Sequence, residues 1–544
     1  MSKILINNVK NVKDYKKLNH LEDLTILQQT RDLIIKTTET TGGHLSSSLS
    51  ALEISYGIIK EFDLEKDKIL FDIGHNTYGW KILTGRAKRF ETLKQFNGLK
   101  GFQSRKESKY DFIEQGNAGN SLSIAAGWAF CLKKNEYIVN VIGDQSFATG
   151  QIAECFNHLN SIKNSIIIAL NDNSQGIGPN IGSLGTNDIN YQNYCLTYGI
   201  NYIGPVDGHN LNEISNAFKK AKTSNKHTLI HFKTIKGHGH EEASQDKVGK
   251  YHSIPTKNNY DKWSNHYPTI IDECLKKNKN VYLITAGMQY ALNLHNLYLK
   301  YPKQTIDVGI AEDHAVSFAS GVALSNNVPV VFVGNCFLRK GYDQIVQDIA
   351  LMNLHCVFII DQSGINEGGN VQHGFYDLKM FVGLDNAVIY APSNSKEFQH
   401  CLELGITKKQ ITVIRINKYY INDEKQKFDD FIWIRSSSKK IVDNSSKLVI
   451  SYDKLSNYVI NTKKRYDLIN LKQIYPLSKK VINIIDSYQE IILLEEYPNH
   501  FGLYSVLATH INQSKIKLIA PNSINIEHGN IDKLYNDNIL NKLK

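Results

Sequence analysis

Four apolar runs in the first half of the chain each stop on polar residues: KILFDIGH (68–75), YIVNVIGD (137–144), SIIIALNDN (165–173) and TLIHFKT (228–234). Between them, QIAECFNHLNSI (151–162) and NEISNAFKKAKT (212–223) carry apolar residues at helical spacing. A strand that is apolar along its whole length has both faces covered, and intervening helices are what cover them. The pattern predicts an α/β fold with mainly parallel sheets flanked by helices. Open sheets of this kind bind ligands at the carboxyl ends of their strands. The polar tips, Asp144 and Asn173 among them, are therefore the first place to look for chemistry.

The pattern recurs in VYLITAGM (281–288), VPVVFVGNCF (328–337), HCVFIIDQSG (355–364) and ITVIRINK (411–418), and again in KLVISYDK (447–454) and IILLEEY (491–497). Lysine- and asparagine-rich residues 256–262 mark a first boundary. The charged, aromatic stretch 419–440, without periodicity, reads as a linker. Three domains are expected, at 1–262, 278–420 and 441–544, which suits a chain of 544 residues.

With 42% hydrophobic and 21% charged residues the chain can bury ordinary cores. Its 63 Lys and Arg against 53 Asp and Glu give +10, scattered as a solvated surface rather than gathered as a nucleic-acid patch, so no nucleic-acid partner is expected. The seven cysteines, 131, 155, 195, 274, 336, 356 and 401, form no CxxC pair and mostly lie in apolar runs. That argues for reduced thiols in a cytoplasmic protein without zinc. No apolar stretch reaches the length of a membrane span, and the first residues lack the apolar core of a secretion signal.

The two sharpest motifs are VIGDQSFATG (141–150) and LNDN (170–173). An acid and an amide at neighbouring strand tips are a minimal oxygen set for Mg²⁺, which is usually completed by phosphate oxygens. GGHLSSSLSALE (42–53), FDIGHNTYGWKILTGR (71–86), NYIGPVDGHN (201–210), DVGIAEDHAVSFASGVAL (307–324) and FLRKGYDQIVQDIA (337–350) accompany them. In this order the strings resemble the 1-deoxy-D-xylulose-5-phosphate synthase family of the transketolase superfamily, over nearly the whole chain, with a shortened stretch after Asn173.

The resemblance implies a three-domain transketolase-like fold and a homodimer, with thiamine diphosphate and Mg²⁺ as cofactors. By it, Asp144, Asn173 and the backbone carbonyl of Gln175 hold the metal, while Gly143, Gln145 and Ser146 open the helix N-terminus that seats the diphosphate. Asn117 and Lys236 match further cofactor positions, and Phe337 matches the aromatic that stacks on the aminopyrimidine. Glu312 matches the carboxyl that turns the aminopyrimidine into a base. His44, His75 and His252 match the histidines that move protons on donor and acceptor oxygens. His314 matches a family histidine in the second domain. His158, His209, His238 and His240 receive no role. Arg415, Lys340, His373 and Gln362 are the expected contacts of the acceptor.

The chain also departs from the family. GDG has become GDQ, which puts the Gln145 side chain where the family keeps bare backbone. Asn117 stands where a histidine is usual. Of the arginines and the tyrosine that hold the acceptor phosphate in the family, Arg415 persists; the others are replaced by Lys340, Gln362 and Gly334, and neither Lys nor Gln reproduces the fork of an arginine. The expected activity is decarboxylation of pyruvate and transfer of the two-carbon unit to an aldose phosphate such as glyceraldehyde 3-phosphate. A carboligase with another donor or acceptor, and a cofactor-binding pseudoenzyme subunit, are the alternatives.

Overall fold

A computed structural model describes residues 6, 9, 11–133, 135–185, 189–255, 260–420, 429–434, 447–460, 466–498 and 500–543. The chain forms two compact units, 1–258 and 259–544.

In the first unit, β1 (Lys68–Phe71), β2 (Ile138–Gly143), β3 (Ile166–Asp172), β4 (Asn201–Asp207) and β5 (Thr228–Lys233) form one parallel sheet in the order β1-β2-β3-β5-β4. The continuous apolar runs have the expected cause. Val139, Val141, Ile167 and Ala169 enter one core, and Ile138, Ile142, Ile166, Ile168 and Leu170 enter another on the opposite face. Helices Gly150–Leu159 and Leu211–Thr223 occupy the stretches read as helical.

The second unit holds two sheets. β6 (Val281–Thr285), β7 (Thr305–Asp307), β8 (Val328–Gly334), β9 (Cys356–Asp361), β10 (Ala387–Tyr390) and β11 (Ile411–Arg415) build one. β12 (Phe431–Ile434), β13 (Lys447–Tyr452), β14 (Asp467–Leu471), β16 (Glu490–Leu494) and β17 (Ile516–Ile519) build the other, in the order β12-β14-β13-β16-β17. The short β15 (Gln473–Tyr475) leaves the third block and pairs antiparallel with β10, giving the second sheet the order β15-β10-β11-β9-β8-β6-β7. One core runs from Val331, Phe358 and Val413 of the second sheet to Ile450, Ile469 and Leu493 of the third.

One expectation needs correcting. β12 lies inside the stretch read as a linker and pairs antiparallel with β14, so part of 419–440 is sheet. Only four residues long, with Trp433 exposed at an edge, it is too short to show a period. The cysteines are free thiols, all buried but Cys131. Among the described residues no helix is long and apolar enough to cross a membrane.

Candidate active site

The carboxyl ends of β2 and β3 carry the proposed metal ligands. Asp144 opens the short helix Asp144–Phe147 with Gly143 as its N-cap. Its Oδ1 accepts from the Gln145 amide at 2.8 Å and its Oδ2 from the Gln175 amide at 3.1 Å, so one backbone N–H from each strand tip aims the carboxylate. Burial, with the charge of Asp172 beside it, pushes the Asp144 carboxyl up to about 6. The Lys236 charge opposes that rise without cancelling it, which suits the acid to a further cation.

Asn173 completes the picture. Its Nδ2 lies 3.5 Å from Ser50 Oγ, while its buried Oδ1 accepts no hydrogen bond from any described residue. Buried acceptors are normally satisfied, so an oxygen left open beside a carboxylate fits a hard cation. Ser146 Oγ is likewise buried with no partner among the described residues. Lys236 extends its ammonium to the Gly176 carbonyl, and burial draws that ammonium down to about 8 against the pull of Asp144 and Asp246. Asn117 lies in the turn before helix Ser121–Phe130; Asp72, at the tip of β1, holds that turn by accepting from the Gly119 and Ser121 amides at 2.8 and 3.1 Å.

The three histidines meet. Helix His20–Thr41, begun by an Asn19–Glu22 capping box, ends at Gly42 and Gly43, whose φ of 77° and 137° turn the chain into His44. A Cβ on Gly43 would stand 2.8 Å from the Tyr78 hydroxyl, the group that accepts the His44 amide at 3.1 Å. Ring centroids lie 5.1 Å apart for His44 and His75, 5.5 Å for His44 and His252, and 5.2 Å for His75 and His252. Burial draws all three well down, His75 to about 3, and the Lys236 charge adds to it. Near neutrality each ring is uncharged and offers one donor and one acceptor.

Sequence reading gave His209 no role, and the structure supplies one. Its Nδ1–H donates to buried Glu53 at 3.0 Å and its Nε2 accepts the Ile235 amide at 2.9 Å; Glu53 also binds Arg31. The ring thus pins the backbone one residue before Lys236. His238 stacks on it with centroids 3.7 Å apart.

In the second unit Glu312 starts helix Glu312–Leu324, buried, its Oε2 accepting from no described residue. Burial raises its carboxyl, and Lys340, with Nζ 3.8 Å from Oε2, opposes that. Phe337 follows β8 on helix Asn335–Leu338, its ring so near Gly334 that a Cβ there would come within 2.9 Å. His314 lies two residues beyond Glu312 on the same helix, its ring centroid 6.0 Å from that of Phe318.

The pattern defining the family described as 1-deoxy-D-xylulose-5-phosphate synthase matches residues 6–193 and 188–234, and that of the transketolase pyrimidine-binding domain matches 261–422. A 1-deoxy-D-xylulose-5-phosphate synthase of Clostridium botulinum is 31% identical, covering 98% of this chain and 97% of the relative. The chain belongs to the 1-deoxy-D-xylulose-5-phosphate synthase family. Another member, from Dehalococcoides mccartyi, is also 31% identical over 97% of this chain and 94% of its own. A solved transketolase of Campylobacter jejuni matches with a TM-score of 0.43 at 14% identity, over 94% of this chain and 96% of that one. The family is one of thiamine-diphosphate-dependent transferases.

Within this synthase family, two of the expected acceptor contacts are held by protein partners in the structure. Arg415 is fully buried: its Nε donates to Asp377 at 2.6 Å, its Nη2 to Glu496 at 3.2 Å, and its Nη1 lies 4.0 Å from Asp453, with the guanidinium 4.6 Å from the Tyr452 ring centroid. The guanidinium is thus walled from solvent among carboxylates, while its Nη1 makes no hydrogen bond to any described residue. His373 is committed too, accepting the Asn366 amide through Nδ1 at 2.9 Å and donating through Nε2 to the Ile526 carbonyl at 3.0 Å. Gln362, at φ 57° just past β9, accepts from Asn366 Nδ2 at 2.8 Å, and its side chain also hydrogen-bonds the Asp361 carboxylate.

Sequence reading missed Lys418. Three residues past Arg415 in the same motif, it stands at the carboxyl end of β11 with 29% of its side chain exposed and Nζ 2.8 Å from Glu367. Position alone could have suggested it, since the tip after a parallel strand is where ligands bind.

Proposed function

We propose that this chain decarboxylates pyruvate and joins the remaining two-carbon unit to an aldose phosphate, with thiamine diphosphate and Mg²⁺ bound. The unsatisfied Asn173 Oδ1 and the Asp144 carboxylate, at the tips of two neighbouring strands, support this reading most strongly. Thiamine diphosphate, once bound, supplies the carbon nucleophile and the electron sink that loss of CO₂ requires. The protein's own groups bind, orient and move protons. Asp144, Asn173 and the Gln175 carbonyl would hold the ion, and the amides opening helix Asp144–Phe147 with Lys236 would meet the diphosphate. The buried Glu312 carboxyl would hydrogen-bond the aminopyrimidine. His44, His75 and His252, uncharged, exchange protons with carbonyl and hydroxyl oxygens of donor and acceptor. The enzyme is read as a cytoplasmic homodimer, checked by sedimentation at assay concentration.

Enclosure of Arg415 favours a second reading, a carboligase whose acceptor carries no phosphate. Two charge-assisted bonds at ~1.5–3 kcal/mol each separate an acceptor site with its arginines from one without them. CO₂ release from pyruvate with Mg²⁺ and thiamine diphosphate decides between the two. Stimulation by glyceraldehyde 3-phosphate supports the first, stimulation by an unphosphorylated aldehyde alone supports the second, and no release under any condition refutes both.

A further inference from the structure

Two groups of side chains among the described residues bring three potential metal-ligand atoms within 4.8 Å of one another: His44, His75 and His252, and Glu53, His209 and His238. The second group is already committed. Both His209 nitrogens are taken, by Glu53 and by the Ile235 amide, and Glu53 is paired with Arg31 besides. The first group is open. His44 Nδ1 is buried with no partner among the described residues, and His252 Nδ1 meets Ser47 Oγ at a long 3.5 Å. Each of the three residues is half-buried, so the cluster is sheltered yet within reach of solvent.

Backbone contacts hold the three rings in place. Gly43 and Ile254 exchange N–H···O bonds at 2.9 and 2.8 Å, and the Ser46 amide donates to the Tyr251 carbonyl at 3.2 Å, so the segments carrying His44 and His252 are laced on either side of each ring. Ser48 Oγ donates to the His75 carbonyl at 2.5 Å and ties in the third. The ring centroids form a nearly even triangle with sides of 5.1, 5.2 and 5.5 Å. Three imidazoles bound tetrahedrally to one ion at ~2.0–2.1 Å have ring centres about 5 Å apart and ligand nitrogens about 3.4 Å apart. The triangle already has that size, and ring rotation brings the nitrogens in. Burial keeps all three rings unprotonated near neutrality, the form a metal takes. The Lys236 charge reaches all three rings and works against a cation, which limits the affinity.

We propose that His44, His75 and His252 form a second cation site, separate from the Mg²⁺ ligands, which takes one divalent ion of the Zn²⁺, Co²⁺ or Ni²⁺ class and whose occupancy arrests turnover. Selectivity follows from ligand chemistry. Mg²⁺ prefers oxygen and goes to Asp144 and Asn173, whereas imidazole suits transition ions. The arrest rests on the proposed function: a ring nitrogen whose lone pair is on a metal accepts no proton from donor or acceptor.

The test titrates Co²⁺ into the full-length protein at saturating Mg²⁺ and thiamine diphosphate and reads visible absorption, which is far more intense for four-coordinate Co²⁺ than for six-coordinate Co²⁺ on oxygen ligands. Intense bands that saturate at one ion per chain and vanish when Zn²⁺ displaces the Co²⁺ are expected. His44→Gln, His75→Gln and His252→Gln each weaken that binding by about a hundredfold or more, beyond the ~10–100-fold that outer partners of a metal site carry. His238→Gln, in the committed cluster, leaves it unchanged. Three independent variants keep the test open should one of them lose its thermal transition. In the same solution Zn²⁺ stops CO₂ release from pyruvate, and a chelator with Mg²⁺ in excess restores it. Weak bands alone, or binding that each of the three histidine variants retains, show an adventitious ion only and overturn the site. Tight binding with CO₂ release intact overturns the arrest. A metal-free parent that releases no CO₂ refutes the proposed function itself, and the Co²⁺ spectrum then still decides the site.

Discussion

Arg415 and Lys418 lie three positions apart and have opposite fates, because charge acts according to what encloses it. Arg415 is enclosed by Asp377, Asp453 and Glu496. Replacing it by alanine leaves three buried carboxylates without their cation, and unfolding measurements are expected to show a loss of ~3–5 kcal/mol. Lys418 is half-buried, its ammonium 2.8 Å from Glu367 and acting on the Asp361 carboxyl as well. Its replacement by alanine is expected to leave the melting temperature within a few degrees and to raise KM for a phosphorylated acceptor about tenfold, with KM for pyruvate unchanged, as loss of one charge-assisted bond predicts. An unaltered acceptor KM would exclude Lys418 from the phosphate site. At Glu312 the expectation is sharper still: Glu312→Ala keeps the fold and lowers CO₂ release by ~10²–10⁴-fold, the range of one general acid–base group. Turnover surviving that change would remove Glu312 from the chemistry.

Two loops behave as units. The β2 and β3 tips act through Asp144, whose conversion to Asn removes the charge while keeping the shape. Calorimetry with Mg²⁺ and thiamine diphosphate is expected to show a loss of more than about a hundredfold, since outer partners of a metal site alone contribute 10–100-fold. The second loop, after β9, is tied to the third block by His373, whose two bonds to Asn366 and Ile526 need a neutral ring. Burial draws its imidazole down to about 4, below the ~6.5 of an unfolded histidine. The unfolded chain therefore binds the proton first as pH falls. The contribution of His373 is complete above about pH 6.5 and is lost toward pH 4, at ~1.4 kcal/mol per pH unit. His373→Gln should cost most at pH 7, and the gap to the parent should narrow by pH 5. A gap of constant size would contradict the assignment.

At the scale of the molecule, each of the two units encloses its own cores: two flank the first sheet, and one runs from the second sheet to the third. A fragment of residues 259–544 is accordingly expected to fold and melt cooperatively by itself. A fragment of residues 1–258 is expected to bind Mg²⁺ with pyrophosphate, because Asp144, Asn173, Gln175 and Lys236 all belong to it, yet to release no CO₂ without Glu312. Failure of either fragment to fold would show that the units need each other's surface.

By itself, the sequence determined whatever local periodicity and short motifs encode. Runs such as SIIIALNDN had to be doubly covered parallel strands because they lack a polar face, and their polar ends had to lie at the ligand edge of a sheet. Asp144, Asn173, Glu312 and the three histidines could be singled out because each sits in a string that resembles the family's, and the fold brings the three histidine rings together. Tertiary structure alone decided the partners of each charge. Nothing near Arg415 in the chain announces Asp377, 38 residues away, or Glu496, 81 away. β15 likewise joined the second sheet, and β12 formed inside an aperiodic stretch, because pairing is chosen by the edge a segment meets in space. Electrostatics, packing and edge pairing depend on distances that a chain acquires only when it closes on itself, and those distances separated a buried arginine from the half-buried lysine three residues on.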